Sequence, residues 1–549
     1  MMKILLLGIN SRYTHSNLAL YYLRNSLLDS EHDCEILETS INSDLLDTIQ
    51  QVNIIKPDVL CLSFYIWNTD YTLHLLPLLK NVMPGLVIVA GGPEVTYPNQ
   101  YIEQVFSHID YAVQGAGEEA LAFLAEKSFV HDEKFVNIPN KPFKDIPFPY
   151  LQSDKILLEN KYLYYEASRG CPFNCSFCLS SRSDIILEYR DIATVKDELK
   201  QLIGFNPRLV KFIDRSFNAD RKFAYSVWEY LIELNPKITF HFEIKPDLLK
   251  DEDLELLKSA PLGLFQFEIG LQSTNPETLS AIDRYVEFDK IKPYLVKVNQ
   301  LDNIHTHLDL ISGLPHEDLT SFSNSFNMAI KTYPRYLQLG FLKVLPGTKI
   351  AEQAEDFEIK SMPYPPYQII QNKWLSFTDL MDLDRFTHYF DLFYNSEKMT
   401  STLHYIVGKV DNPFDFFSSL FTFCKDNGFE SKKDYYIAFK LMAEFIGSEY
   451  VELSDYVLES LYYDWCNNVC NPKVPTILVS DDSVAYKSET FSTLRNVDKE
   501  LPEVLQNAKK YLKKALFARF KNAEFVENKL NGKTQLITYR EEGIQRVLY

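Results

Sequence analysis

Cysteine is scarce in this chain, with eight in 549 residues. A disulfide-stapled secreted domain would need it at far higher density. Basic residues are short as well: 56 Lys and Arg stand against 75 Asp and Glu, a formal net charge of −19. A general nucleic-acid binder would carry a basic footprint, so no nucleic-acid partner is expected. No apolar run reaches the about 18 residues that read as a membrane-spanning helix. The opening MMKILLLGIN has too short an apolar stretch for a secretion signal, and no small-residue cleavage site follows. It reads as a buried strand, and the chain as a cytoplasmic protein. The rest is ordinary for a globular protein, 46% hydrophobic and 24% charged. The 34 Tyr and 38 Phe allow large cores and well-walled pockets.

Three of the few cysteines are gathered in one stretch, Glu166 to Cys178, EASRGCPFNCSFC. Cys171, Cys175 and Cys178 form a C-x3-C-x2-C array with Phe177 just before the last. Three thiolates at this spacing can hold three corners of a four-iron four-sulfur cluster. Such clusters are normally held by four cysteines, so a three-cysteine site leaves one iron for another ligand. Two plainer readings stand beside this one. The thiols can be inert core residues, or a zinc site, although zinc prefers paired C-x2-C units with a fourth Cys or His, and no histidine lies close by.

The array sits between two runs of alternating strand and helix. The first 140 residues predict strands at Lys3–Ile9, Glu35–Ile41, Val59–Phe64, Leu86–Ala90 and Tyr111–Gln114. Helical spacing falls between them, which is the pattern of a doubly wound, Rossmann-like (flavodoxin-like) parallel sheet. Ligands in such folds sit at the carboxyl ends of the strands. The loops there are SRYTHSN, SFYIWN, GGPEVT and QGAGEEA. Residues 126–160 carry four prolines in NIPNKPFKDIPFPY and read as a connection. After the cysteines, strands are expected at Leu209–Ile213, Thr239–Ile244, Leu264–Glu268, His305–Ile311 and Tyr336–Leu342, preceded by Tyr162–Ala167. That repeat predicts a partial (β/α)6 barrel with its chemistry at the strands' carboxyl ends. Beyond residue 358 the pattern turns mainly helical, including a basic amphipathic helix over Glu503–Asn522. Cys424, Cys466 and Cys470 lack the spacing of a usual ligand set. The expected domains are 1–140, a linker 141–160, 161–358 and 359–549.

The cysteine array, its place after a Gly-Gly-Pro sheet and the polar strand ends together resemble the cobalamin-binding branch of the radical S-adenosylmethionine enzymes. The resemblance covers almost the whole chain and is weakest in the tail, which is similar to a domain of unknown function in a subgroup of that branch. It implies a [4Fe-4S] cluster on Cys171, Cys175 and Cys178, S-adenosylmethionine on its open iron, and cobalamin on the first domain. For S-adenosylmethionine the implied contacts are Phe177, Asp214, Asn218, Glu243, Glu268, Gln272, Gly313 and Pro315, with Arg182 and Arg190 free to pair with a carboxylate. For cobalamin they are Ser63, Trp67, Gly91, Gly92, Pro93, Gly117 and Glu118, with His15 at the edge. Many cobalamin domains carry D-x-H-x-x-G, whose histidine ligates cobalt. Here Tyr13 and Leu18 replace its Asp and Gly, so His15 lacks the carboxylate that would orient it.

The activity so implied is methyl transfer to an unactivated carbon through a 5′-deoxyadenosyl radical, with a flavodoxin or ferredoxin as reductant. The alternatives are a cyclisation or rearrangement without methyl transfer, or a non-enzymatic iron–sulfur sensor. The substrate is not legible.

Overall fold

The computed structural model describes residues 1–181, 186–430, 434–469, 471, 473–479, 516–518, 535–540 and 543–548. The chain divides into two compact units, Met1–Phe322 with Leu339–Leu380, and Ser323–Gln338 with Met381–Tyr549.

The first unit opens with six strands: β1 (Lys3–Asn10), β2 (Asp33–Ser40), β3 (Val59–Ser63), β4 (Val87–Gly91), β5 (Tyr111–Val113) and β6 (Phe135–Val136). They form one sheet in the order β2-β1-β3-β4-β5-β6, and every pair is parallel. This is the flavodoxin-like order extended by one strand, with its switch point between β1 and β3. β1 reads KILLLGIN and is buried from Ile4 onward, as a strand covered on both faces must be. Helices Leu18–Asn25, Leu45–Ile55, Thr69–Val82 and Glu118–Glu126 supply the covers. Asp44 starts the second of these by accepting the Leu46 N–H at 2.8 Å. The proline-rich connection is not wholly a linker. Phe135 and Val136 pair with β5 and complete the sheet.

A short hairpin, β8 (Ser168–Arg169) with β9 (Glu188–Tyr189), follows β7 (Tyr162–Tyr165). The second sheet then continues through β10 (Leu209–Phe212), β11 (Thr239–Ile244), β12 (Phe265–Gln272), β13 (Ile304–Ser312) and β14 (Tyr336–Phe341). Its order, β14-β13-β12-β11-β10-β7, is sequential, and the pairs from β7 to β13 are parallel. This is an open barrel of six strands. One face of the strands is aromatic: Phe242 and Phe267 pack with Trp228 from helix Arg221–Leu234, and Phe212 and Phe242 pack with Phe217 from the turn after β10. The alternate residues, on the other face, are polar.

The second unit is built on helices. Phe326 lies on helix Leu319–Ile330, which runs across the boundary between the units. It packs edge-on against Phe386, Phe390, Phe414 and Phe417, with ring centroids 5.2 to 6.1 Å away. A buried carboxylate, Asp464, accepts from Thr402 N and Oγ1, both at 2.8 Å. Cys424 and Cys466 are fully buried, and burial pushes both thiols up. Cys470 lies outside the described residues. The basic helix expected over 503–522 is overturned in its described part: Leu516–Ala518 is a strand, paired antiparallel with Gln535–Arg540, which pairs in turn with Gly543–Leu548. Its remaining residues lie outside the described ones.

Candidate functional site

Cys171 follows β8, and the loop from Cys171 to Cys178 is anchored at both of its neighbours. Ser176 N donates to Ile282 O at 3.0 Å, and Ile350 N donates to Ser176 O at 2.9 Å. Cys171 and Cys175 are nearly buried while Cys178 is half-exposed. Burial pushes the Cys171 thiol up, and the other two cysteines add to the shift. Cations stand beside the sulfurs. Arg284 Nη1 is 3.6 Å from Cys175 Sγ, and Lys245 Nζ lies 3.6 Å from the centre of the Phe173 ring. Three soft sulfur donors on one anchored, partly open loop with cationic neighbours fit an anionic iron–sulfur cluster. Among the described residues, no three Cys, His, Asp or Glu side chains are gathered to hold a single metal ion.

The barrel's inner face rises in rows set by strand register. Lys211 is aligned with Tyr164 and His241, His241 with Gln266, and Gln266 with His305. In the next row Glu243 is aligned with Glu268, and Glu268 with His307. Asp309 comes next, aligned with Gly270. His241 Nε2 and Glu268 Oε2 are 2.9 Å apart, which holds the Glu268 carboxyl below its ordinary value. Burial raises Glu243, whose Oε1 is 3.5 Å from Arg215 Nη1. Asp309 is raised well above the carboxylate range by burial and by Glu268 and Glu243. His307 is pushed down to about 4, mainly by burial. This face therefore offers neutral imidazoles, one ionised carboxylate and carboxyls that readily hold a proton.

The residues expected to contact S-adenosylmethionine are spread over the strands and strand ends of the barrel and the cysteine loop. Glu243 and Glu268 stand side by side on the inner face. Gln272 tops β12 at a bulge, with φ 70°. Its buried Oε1 and the Oδ1 of Asp309 have no hydrogen-bond partner among the described residues. Phe177 lies on the cysteine loop itself.

Four of the expected residues have partners within the scaffold. Asp214, 1% exposed, accepts from Ala167 N at 3.1 Å and Ser168 Oγ at 2.6 Å, and burial lifts its carboxyl to about 7. It braces the strand into the cysteine loop. Asn218 is spent on the Lys245 backbone, donating to its O and accepting from its N, each at 2.8 Å. Arg190 is not free for a carboxylate ligand. Buried to 3%, it reaches Ile146 O at 2.7 Å, Tyr22 Oη at 3.3 Å and Glu198 Oε1 at 3.4 Å. Gly313, at φ 88°, makes its close approach to the Ile369 side chain, which a Cβ would meet at 2.8 Å. Pro315 is buried two residues on. Arg182 lies outside the described residues.

At the carboxyl edge of the first sheet, Gly92 has φ 94°, and a Cβ there would fall 2.5 Å from Phe64 O. Only glycine lets the loops after β3 and β4 approach so closely. Gly91 precedes it and Pro93 opens the short turn that follows. Ser63 ends β3. Beyond it Trp67, 43% exposed, stacks on Tyr65 with centroids 4.3 Å apart and donates to Ile9 O at 3.2 Å. A side-chain-poor edge with a solvent-facing aromatic stack fits a large planar ligand. His15 Nδ1 is bonded to the Tyr164 hydroxyl on β7. Gly117 caps helix Glu118–Glu126.

Glu118 turns to the barrel. Its Oε1 is 3.0 Å from Arg169 Nη1, and its Oε2 accepts from Asn140 Nδ2 at 2.9 Å. The Tyr367 hydroxyl, just before the strand Ile369–Gln371 beyond the barrel, also reaches this edge of the first sheet and donates to Glu94. Sequence reasoning missed Arg169, Arg284, Lys211, His241, His307 and Asp309. The last four carried a signal: LVKF, TFHFEI, FQFEIGLQ and IHTHLDLIS alternate polar with apolar residues, which marks a polar inner face.

Residues 4–125 match the B12 binding domain family, 165–329 the Radical SAM superfamily and 355–543 a protein family of unknown function, DUF4080. Among curated relatives, the cobalamin-dependent radical SAM methyltransferase TokK of Streptomyces tokunonensis is 26% identical over 57% of this chain and 51% of its own. The anaerobic magnesium-protoporphyrin IX monomethyl ester cyclase of Rubrivivax gelatinosus is 25% identical over 51% of this chain and 55% of its own. The chain spans about half the length of the curated relatives it matches. Among solved structures, the cobalamin-dependent S-adenosylmethionine radical enzyme OxsB superposes with a TM-score of 0.59 at 14% identity, covering 84% of this chain and 80% of OxsB. That likeness is one of fold.

Proposed function

We propose, from the match of residues 165–329 to the Radical SAM superfamily and of residues 4–125 to the B12 binding domain ahead of the barrel, that the chain is a methyltransferase acting on an unactivated carbon. The observation that carries the reading is the meeting of the two carboxyl edges, where Arg169 joins Glu118 two residues before Cys171. Two ligand edges brought together suit a reaction that needs two cofactors on one substrate. When bound, the cluster with S-adenosylmethionine would supply a 5′-deoxyadenosyl radical and cobalamin a transferable methyl group.

The chain's own residues have distinct tasks in this reading. Cys171, Cys175 and Cys178 hold the cluster, with Arg284 and Lys245 offsetting its negative charge. Phe177 packs beside it. Glu243, Glu268 and Gln272 accept hydrogen bonds from S-adenosylmethionine or substrate, and Asp309 holds a proton at the same face. Gly313 and Pro315 shape the loop beyond β13. Ser63, Trp67, Gly91, Gly92, Pro93 and Gly117 form the cobalamin edge.

The test is anaerobic reconstitution followed by iron, sulfide and cobalt analysis. About four irons and one cobalamin per chain are expected. Replacing Cys171, Cys175 or Cys178 by Ala should abolish both the cluster and the cleavage of S-adenosylmethionine. Retained cleavage in any of the three would refute the assignment. A second reading, ring closure without methyl transfer, draws on the likeness to the cyclase. It would give 5′-deoxyadenosine with no S-adenosylhomocysteine.

A further inference from the structure

Arg169 occupies an unusual position. It ends β8 two residues before Cys171, and its guanidinium serves two carboxylates from different sheets. Nε and Nη2 reach both oxygens of Glu166 at 3.1 and 2.9 Å, while Nη1 reaches Glu118 at 3.0 Å. Glu166 belongs to the barrel side and Glu118 opens a helix at the carboxyl edge of the first sheet. Both are 9% exposed. The guanidinium plane is also flanked by rings, with its carbon 4.8 Å from the Phe143 centroid and 5.6 Å from that of Tyr22. A planar fork held by two carboxylates and two rings has one geometry, which lysine cannot reproduce.

We propose that Arg169 is a positioning residue that fixes the cysteine loop relative to the cobalamin edge, and thereby couples cleavage of S-adenosylmethionine to use of the cobalamin. This rests on the two-cofactor reading above. Glu118 then acts through Arg169 and not by touching cobalamin. Two other ion pairs also join the first domain to the segment before the cysteines, Arg24 with Asp154 and Lys161 with Glu38. Neither touches the cysteine loop, so they serve as controls for a general loosening of the two halves.

The experiment uses the full chain, reconstituted with cluster and cob(II)alamin, in wild type, Glu118→Gln, Arg169→Lys and Arg24→Gln. One readout is the relaxation enhancement that the reduced cluster imposes on the cob(II)alamin paramagnetic resonance signal, which falls steeply with distance. The other is the ratio of S-adenosylhomocysteine to 5′-deoxyadenosine formed without substrate. Glu118→Gln and Arg169→Lys should keep wild-type iron and cobalt contents, lose several-fold in relaxation enhancement, and shift the ratio toward 5′-deoxyadenosine. Arg24→Gln should leave both readouts at the wild-type level. Unchanged readouts in Glu118→Gln and Arg169→Lys would overturn the positioning role alone. So would equal losses in Arg24→Gln, or loss of cobalt in Glu118→Gln, which would make Glu118 a direct contact. Failure of the wild type to take up cobalamin would instead overturn the two-cofactor reading and the coupling role with it.

Discussion

Asp214 and Asn218 show how a polar residue at a strand end can be spent on the scaffold. Each satisfies two groups of a neighbouring strand end, and each is almost fully buried. Removing either strands buried partners, at a cost of ~1–3 kcal/mol per group. Asp214→Ala should therefore lower the urea midpoint and speed loss of iron from the reconstituted protein, while Asn218→Ala should show the first effect more than the second. The sign for titration is equally definite at Asp464. Burial lifts its carboxyl from an ordinary 3.8 to about 6, although Thr402 and Ser401 donate to it. The folded state thus keeps a proton that the unfolded chain releases. The stability this group contributes is full below its unfolded pKa and is lost as pH rises through 6. Asp464→Asn should remove that dependence. Urea unfolding at about pH 4.5 and pH 6.5 should show the wild type losing more stability over the interval than the variant.

At the level of elements, the loops after β3 and β4 are locked by one glycine. Gly92 combines positive φ with a contact that leaves no room for a Cβ. Gly92→Ala should destabilise the first sheet by ~2 kcal/mol or more, since strain and clash add. It should also weaken cobalamin uptake, measured by equilibrium dialysis, while leaving iron content intact. The bulge at Gly270–Gln272 does a related job in β12. There the Gln272 side chain folds over Gly270, where a Cβ would meet its Nε2, and so closes the row of Gln266 and Glu268 at the mouth.

At the level of the whole molecule, the second unit takes Ser323–Gln338 from within the barrel sequence. Phe326 there has its ring partners on residues 386–417. A chain truncated after residue 358 would strip this aromatic cluster bare, and exposed apolar surface of that kind aggregates. Such a truncation should be insoluble or bind hydrophobic dye, whereas the full chain should not, and light scattering distinguishes the two. Net charge acts at the same scale. With −19 formal charges the folded chain repels itself. Its melting temperature should rise as salt is raised from about 0.05 to 0.5 M, because screening shortens the reach of those charges.

Strand and helix alternation, the two parallel sheets and the cysteine loop were legible in the sequence because each depends on near neighbours. Period-two burial, a cap residue before a helix and a spaced cysteine array are local chemistry. Thr239–Ile244 runs over the expected residues for that reason. The roles of the polar side chains were not legible. Glu118, Asp214, Asn218 and Arg190 sit in loops or strand ends that suit a ligand as well as a scaffold. Glu118 pairs with Asn140, Asp214 with Ser168, Asn218 with Lys245 and Arg190 with Tyr22, partners 22 to 168 residues away along the chain. Only the folded arrangement assigns Asp214 and Arg190 to bracing the cysteine loop and gives Arg169 a partner on the other sheet. A charged group carries no mark of its counter-ion in its own neighbourhood. Burial selects that partner when the two sheets close.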